Sequence, residues 1–279
     1  MRAAEWIHVI VFSFLVTLAW LRPLAGRRRL KVTAIGIAAL AATLASAYVL
    51  PRLLAPLPAS VVRDWLPASL VLLVYWQAGE FFVGPDQPFQ DRLERLDERL
   101  VGPLLRWIAS RRLGTWIAAA LELAYVLCYP MIPMSMATLY LLRVARHADY
   151  FWTVVLISTY SSYCLLPFLQ SLPPRIYKEP WLTPLPHNPI RALNLCLLRH
   201  ASIHANTFPS AHVAASVAAA LVIATLAPWT IGLLFVAIAT GIAFGTFAGR
   251  YHYAADSITG AAVALLVFLV KVIVSGPPR

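Results

Sequence analysis

The sequence predicts an all-α integral membrane protein of about eight transmembrane helices. Composition is the first reason: 60% of the 279 residues are hydrophobic and 13% are charged, whereas soluble domains average roughly 45–50% and 25%. The second reason is that the apolar residues form continuous runs, several of them close to the roughly 20 residues that cross a bilayer. Continuous runs also disfavour a membrane β-barrel, whose strands alternate apolar and polar residues.

Eight apolar runs divide the chain. They cover residues 6–24, 32–50, 65–84, 115–142, 150–171, 210–227, 229–248 and 254–274. The first two runs lie in residues 1–64 and the other six lie in residues 65–279. The basic run RRRLK at residues 27–31 directly follows the first apolar run, which favours a retained anchor over a cleaved signal peptide.

The connection at residues 85–114 carries a helical hydrophobic pattern. Apolar residues recur there at steps of three and four, at Leu93, Leu96, Leu100, Leu104 and Ile108. With charges on the other side, this pattern predicts an amphipathic helix that lies in the membrane interface. A solvated connector remains an equal alternative, and Gly102-Pro103 is predicted to break the helix.

The connection at residues 172–208 is rich in proline at its start, which excludes a continuous helix there. Further on, His200 and His204 form an H-x3-H pair that can place two metal ligands on one helix face. That pair raises the alternative of a metal-dependent membrane oxidase or desaturase. The chain holds only seven histidines, so we expect no metal and place both residues at the interface or in the site.

The net charge of +11 indicates arginines at the headgroups of an anionic bilayer. No basic stripe with interleaved aromatic residues supports nucleic-acid binding. The connections after the first, third, fifth and seventh apolar runs lie on one side of the membrane and carry 16 of the 23 basic residues. This excess predicts that their side is cytoplasmic. We expect the plasma (inner) membrane of a bacterium, and the oligomeric state stays open.

The segment FPSAH at residues 208–212 begins the sixth apolar run. Pro209 suits the first turn of a helix, because its missing N–H costs nothing there. A helix N-terminus offers free N–H groups to an anion, Ser210 adds a hydroxyl, and His212 falls in the first turn. The sixth run therefore begins with groups that suit an anionic ligand.

Two crossings later the chain returns to the same face at RYHYAAD, residues 250–256. His252 should therefore lie at the depth of His212. Asp256 is four residues after His252, so on a helix the two share a face, and a carboxylate on one ring nitrogen makes the other more nucleophilic. Two histidines, one acid and nearby cations such as Arg250 suit attack on phosphorus, with one histidine as nucleophile and the other as acid.

FPSAH followed by HYAAD resembles two motifs of the type 2 phosphatidic acid phosphatase superfamily, which includes haloperoxidases. The resemblance covers about residues 170–275 and extends to the six apolar runs from residue 65 onward, so it implies a six-helix catalytic core in residues 65–279 and two accessory N-terminal helices in residues 1–64. It also implies a metal-independent phosphohistidine mechanism without a cofactor. By this resemblance His252 is the nucleophile, Asp256 its orienting partner and His212 the general acid. Ser210, Arg250, Arg175 and Lys178 are the implied phosphate-binding residues.

Pro173-Pro174-Arg175 upstream of these motifs more closely resembles the inositolphosphorylceramide synthase branch of this superfamily. The hydrolase pattern has an arginine where this chain has Thr246, and another where it has Leu185. The related enzymes usually work on the external or lumenal side, whereas the charge count points to the cytoplasm.

Three functions follow as hypotheses. The first is hydrolysis of a membrane lipid phosphate, and the second is transfer of a phospho-headgroup to a lipid hydroxyl. The third, from another class, is a non-catalytic transporter or scaffold. Glu80 and Glu122 lie within apolar runs, where an acid is a functional candidate. A proton relay and a satisfied internal hydrogen bond are the alternatives for Glu122, and Glu80 lies near enough to a run's end to reach water.

Overall fold

A computed structural model describes residues 1–110, 115–177 and 188–278. The predicted all-α fold is confirmed, because these residues form helices and no strand longer than one isolated bridge. The helices are α1 (Ala3–Leu21), α2 (Gly26–Leu44), α3 (Leu50–Leu53), α4 (Pro56–Gly79), α5 (Gln87–Ser110), α6 (Thr115–Val126), α7 (Met131–Leu141), α8 (Ala148–Leu165), α9 (Pro174–Tyr177), α10 (Pro189–Ala201), α11 (Ala211–Leu226), α12 (Trp229–Ala248) and α13 (Ala254–Ser275).

Five helical stretches of the described chain are long and apolar enough to cross a membrane, which supports an integral membrane protein. They are Ala3–Leu21, Gly26–Leu53, Pro56–Gly79, Trp229–Ala248 and Ala254–Ser275. A sixth results if α6 and α7, bent by 71° at their junction, count as one span. Helices α8 and α11 fill two further predicted runs, but α11 has only 16 residues. The count of eight therefore stays a prediction.

Helix α11 lies at the centre of the bundle, in contact with α7, α8, α12 and α13. Its sequence is rich in alanine, and Ala214, Ala218 and Ala219 are fully buried. Lipid is as apolar as the protein interior, so helices in a membrane associate through close packing rather than through the hydrophobic effect. Small side chains permit this packing because they let the helix backbones approach closely. The first turn of α11, which carries His212, is therefore enclosed by its neighbours.

The N-terminal helices are joined to the rest of the bundle by polar contacts at the face opposite the histidines. Arg2 forms an ion pair with Asp64 of α4, and Arg63 pairs with Glu5 at 2.7 Å. Asp149 at the start of α8 accepts two backbone N–H groups from the start of α1. The expected boundary between the accessory helices and the core, at residues 64 and 65, falls inside α4. This boundary stays a prediction.

Helix α5 runs through Gly102-Pro103 without a break, so the predicted break is wrong. One side of α5 is buried along its length, at Leu93, Asp97, Val101 and Leu105. Pro103 cannot donate a backbone hydrogen bond, and this packing keeps the helix continuous despite that loss. The opposite side exposes Leu96, Leu100 and Leu104. Their contact with a membrane interface stays a prediction, and the side chain of Ile108 lies outside the described residues.

Candidate active site

The starts of α11 and α13 meet at one face of the bundle. The backbone N–H of Ser210 donates to the carbonyl of Asp256 at 2.9 Å. A Cβ at Gly260 would lie 2.6 Å from the carbonyl oxygen of Ser210, so only glycine permits this approach. The rings of His212 and His252 consequently lie 6.0 Å apart between centroids. The expectation that two crossings bring them to one depth is confirmed.

His252 and Asp256 make their contact in a different way from the one the spacing predicted. His252 precedes α13, whose N-cap is Tyr253, so the two residues do not share a helix face. Instead, Oδ2 of Asp256 accepts the Tyr253 N–H at 2.9 Å and lies 3.3 Å from Nδ1 of His252. The cap of α13 thus orients the histidine. With the ring proton on Nδ1, Nε2 keeps a free lone pair.

The environment of His252 favours the neutral ring that a nucleophile needs. Burial, helped by the positive charge of Arg175, lowers the pKa of His252 to about 3. The residue is 6% exposed, and a buried site penalises the charged imidazolium. His252 is therefore deprotonated across the physiological pH range.

We expect the ring signals of His252 to remain unchanged between pH 8 and pH 5. Histidine side-chain NMR of the protein in nanodiscs tests this, with His252→Ala assigning the signal. Because the folded pKa lies below the ordinary value of about 6.5, the unfolded chain alone takes up this proton. Stability therefore falls as the pH drops from about 6.5 toward 3. A titration midpoint above 6.5 would instead mean that the Asp256 carboxylate outweighs burial.

The two histidines share a small pocket with aromatic walls. Tyr125 stacks on Tyr251 at 3.8 Å and meets the ring of His212 edge-on at 6.1 Å. The pocket has a volume of about 20 Å³, which is room for roughly one water molecule. A phosphoryl group therefore requires its lining side chains to move.

Of the four predicted phosphate-binding residues, the structure brings Arg175 into this pocket. Its backbone N–H donates to the carbonyl of Arg250 at 3.1 Å, and Nη1 donates to the carbonyl of Tyr251 at 3.2 Å. Ser210 is fully buried as the N-cap of α11, where its hydroxyl accepts the N–H of Val213. The predicted place of Pro209 in the first helical turn is wrong, because it precedes this cap. Lys178 lies outside the described residues.

Arg250, the remaining predicted phosphate ligand, pairs with an acid of α5. Its Nη1 lies 2.5 Å from Oδ2 of Asp97, whose other oxygen accepts the first N–H of α13, from Ala254, at 2.8 Å. Arg250 has a φ of +63°, an uncommon conformation for a residue other than glycine. It lines a separate cavity of about 300 Å³ beside α5, so its charge is directed at Asp97 in this structure. Its phosphate-binding role stays a prediction.

Helix α5 therefore forms hydrogen bonds with residues before and after His252. Sequence reasoning missed this role. Besides Asp97, Gln90 donates to the hydroxyl of Tyr253 at 2.5 Å and accepts the N–H of Leu172 at 2.8 Å. No motif or spacing separates Asp97 from the other charges of this helix. The signal that could have found it is its position on the buried side, one helical turn after Leu93.

Glu122 is fully satisfied within the bundle, as the internal hydrogen-bond interpretation expected. It accepts from Arg191 at 2.6 Å, from Asn194 at 2.7 Å and from Tyr251 at 2.5 Å. A buried acid with three donors supplies a fixed anchor. This anchor fixes Tyr251, the residue that directly precedes His252. Glu80 forms an ion pair with Lys31 at the end of α4.

The H-x3-H pair does not form the helical ligand pair that its spacing suggested. Helix α10 ends at Ala201, so His204 lies beyond it with a φ of +56°. His200 is exposed, and its Nδ1 lies 2.9 Å from the carbonyl of Cys196. Across the described residues, no group of three or more His, Cys, Asp or Glu is placed to hold a metal ion.

A second and larger cavity, here called the apolar groove, opens beside His212. Its volume is about 370 Å³, and side chains of α4, α7, α8, α10 and α11 form its walls. His212, Tyr75, Tyr163 and Leu198 line both the groove and the histidine pocket. The groove and the pocket therefore share a wall.

Comparison with known proteins agrees with this geometry. Searches of curated proteins and of solved structures gave no significant match. The family model described as the PAP2 superfamily matches residues 91–270, well over half of the chain, and this range contains both histidine segments and most of α5. Members of this superfamily are generally phosphatases or phosphotransferases. The chain belongs to the PAP2 superfamily.

Proposed function

We propose that this protein is a bacterial inner-membrane phosphatase that hydrolyses a lipid phosphate through a phosphohistidine at His252. The observation that carries the proposal is the meeting of His252, its partner Asp256 and His212 at one end of a bundle of membrane-spanning helices. A neutral nucleophile, an orienting carboxylate and a second histidine across the pocket are the groups that phosphoryl transfer uses.

The reaction has two steps. Nε2 of His252 attacks phosphorus, a P–N bond forms, and the bond from phosphorus to the lipid oxygen breaks while His212, in its imidazolium form, gives that oxygen a proton. Water then attacks phosphorus, His212 takes a proton from it, the P–N bond breaks, and inorganic phosphate leaves. Arg175 lines this pocket, and its guanidinium supplies positive charge for the phosphoryl oxygens.

A phosphotransferase is the second candidate, and the apolar groove is the observation that favours it. A lipid alcohol in this groove can present its hydroxyl beside His212, where water would otherwise react. The two activities share every proposed catalytic residue and differ in the acceptor that reaches the phosphohistidine. This acceptor also distinguishes the simple phosphatases of the superfamily from the inositolphosphorylceramide synthase branch, which the chain resembles.

Phosphate release by the purified protein tests the proposal. In lipid nanodiscs with EDTA, we expect release of phosphate from phosphatidic acid or an isoprenoid diphosphate without any added acceptor. His252→Ala is the negative control. A new phospholipid formed only after adding diacylglycerol or ceramide would identify the transferase. A protein inert in both assays would favour the transporter or scaffold, and dependence on added metal would contradict the metal-free mechanism.

A further inference from the structure

Helix α5 lies across the ends of three helices, on the side of the bundle that holds the histidines. Near the start of α5, the ring of Phe89 contacts that of Phe208, just before α11, at 5.5 Å between centroids. Near its end, Leu105 packs with Phe247 in the last turn of α12 and Ala254 in the first turn of α13. A helix that passes over the ends of membrane-spanning helices runs along the membrane surface, at the level of the lipid headgroups.

The outer face of α5 carries two rows of exposed side chains. Four apolar residues at helical spacing form the first row: Leu96, Leu100, Leu104 and Trp107. Three arginines form the second row: Arg92, Arg95 and Arg99. Arg92 lies one helical turn before Leu96, so the two rows run side by side. Within the part of the chain that the structure describes, none of the three guanidinium groups makes an ion pair or a hydrogen bond.

An anionic bilayer surface matches this outer face in both shape and charge. The apolar side chains of such a helix enter the boundary between headgroups and acyl chains, while the arginines beside them attract lipid phosphates. Each basic residue near an anionic surface strengthens binding roughly fivefold. Arginines that lack an internal counter-charge are therefore the groups that gain most from anionic lipid.

The inner side of the same helix holds the segment that carries His252. Asp97 pairs with Arg250 and accepts the N–H of Ala254, so it bonds to residues two before and two after His252. Arg250 has a left-handed backbone with a φ of +63°, a conformation that persists only where the surroundings maintain it. Movement of α5 away from the bundle therefore releases this turn and displaces His252.

We propose that the outer face of α5 binds the anionic surface of the bilayer, and that this binding holds the His252 segment in its reactive arrangement. The binding is independent of the proposed function, whereas its effect on turnover rests on that function. One helix joins the two sides, because lipid on its outer face stabilises the position in which Asp97 meets Arg250. Lipid that favours this position over a displaced one shifts the population toward it, which matches turnover to the anionic lipid content of the membrane.

Cysteine labelling tests the binding. In a background without the three native cysteines, Leu100→Cys should react with an uncharged, water-soluble maleimide about fivefold more slowly in phosphatidylglycerol-containing nanodiscs than in phosphatidylcholine alone. Arg95→Gln with Arg99→Gln should remove this difference. Arg27→Gln with Arg199→Gln is the matched control and should keep it, because both arginines are exposed on the same side of the bundle but lie outside α5. Equal reactivity in the two lipids would overturn the proposal. Protection that requires two copies in one nanodisc would make a second copy the occupant instead.

Hydrogen exchange tests the link to the site. We expect the backbone N–H groups of residues 250–256 to exchange more slowly with phosphatidylglycerol present, and kcat for a soluble aryl phosphate to rise about fivefold. Asp97→Asn should lose both responses, because it lacks the charge that holds Arg250. Glu98→Gln is the control and should keep both, because Glu98 is exposed and pairs with Arg106.

The failure of this inference is distinguishable from the failure of the proposed hydrolysis. Slow exchange throughout α11 reports that each variant is folded. Lipid-dependent labelling and exchange without any turnover would support the binding and the link while the proposed hydrolysis failed. Turnover with exchange at residues 250–256 that is the same in both lipids would contradict the link.

Discussion

Replacing His252 with alanine is expected to abolish turnover. Loss of the nucleophile removes the covalent step, and such losses lower kcat by roughly four orders of magnitude or more. The fold should survive, because Asp256 keeps its hydrogen bond from the N–H of Tyr253. Release of phosphate from a lipid phosphate in nanodiscs measures the effect, with monodispersity on gel filtration reporting the fold.

His200→Ala is the matched control for this loss. His200 is on the same side of the bundle but is exposed on α10 and does not line the histidine pocket. We expect it to keep nearly full activity. Labelled substrate should trap an acid-labile, alkali-stable phosphoenzyme in the wild type and in His200→Ala, and none in His252→Ala. Comparable turnover in the two variants would remove His252 as the nucleophile.

The effect of replacing His212 is expected to depend on the leaving group. A general acid contributes roughly 100- to 10,000-fold when the leaving oxygen is a poor one, such as a lipid alkoxide. An aryl phosphate whose phenolate leaves unaided should lose less than about tenfold. The ring of His212 faces His252 across the pocket and contacts Tyr125 and Tyr129, so His212→Gln, which keeps much of its bulk, should be measured beside His212→Ala.

The activity lost on an alkyl phosphate, relative to the activity lost on an aryl phosphate, decides whether His212 is the general acid. Misplaced packing around Tyr125 would slow both substrates by the same factor. A selective loss on the alkyl phosphate, shared by both His212 variants, is the signature of proton donation. Equal losses on alkyl and aryl phosphates would show that His212 positions the site and that another group supplies the proton.

Much of the fold and the central pair of the site could be predicted from the sequence. Apolar runs of membrane-spanning length predict helices whatever surrounds them, because lipid leaves no other way to satisfy the backbone. Two crossings between His212 and His252 return the chain to one face, and this parity argument needs no knowledge of packing. The motifs around these residues were enough to identify the superfamily.

The surroundings of His252 were decided only by the tertiary structure. The spacing to Asp256 is right, but the contact is made by the cap of α13, because the helix begins after His252. Arg250 was expected at the phosphate, yet a buried arginine needs a counter-charge and Asp97 supplies it. Asp97 is 153 residues away in the chain, and no local pattern connects the two.

What the sequence by itself determined is the class of molecule and the pair of histidines that meet on one face of the bundle. These depend on length, hydropathy and the order of crossings, which are properties of the chain. The partners of Arg250 and Glu122, the unbroken α5 and the apolar groove came only from the tertiary structure. They depend on which distant side chains can satisfy a buried charge or fill a space, and helices brought together by packing alone decide that.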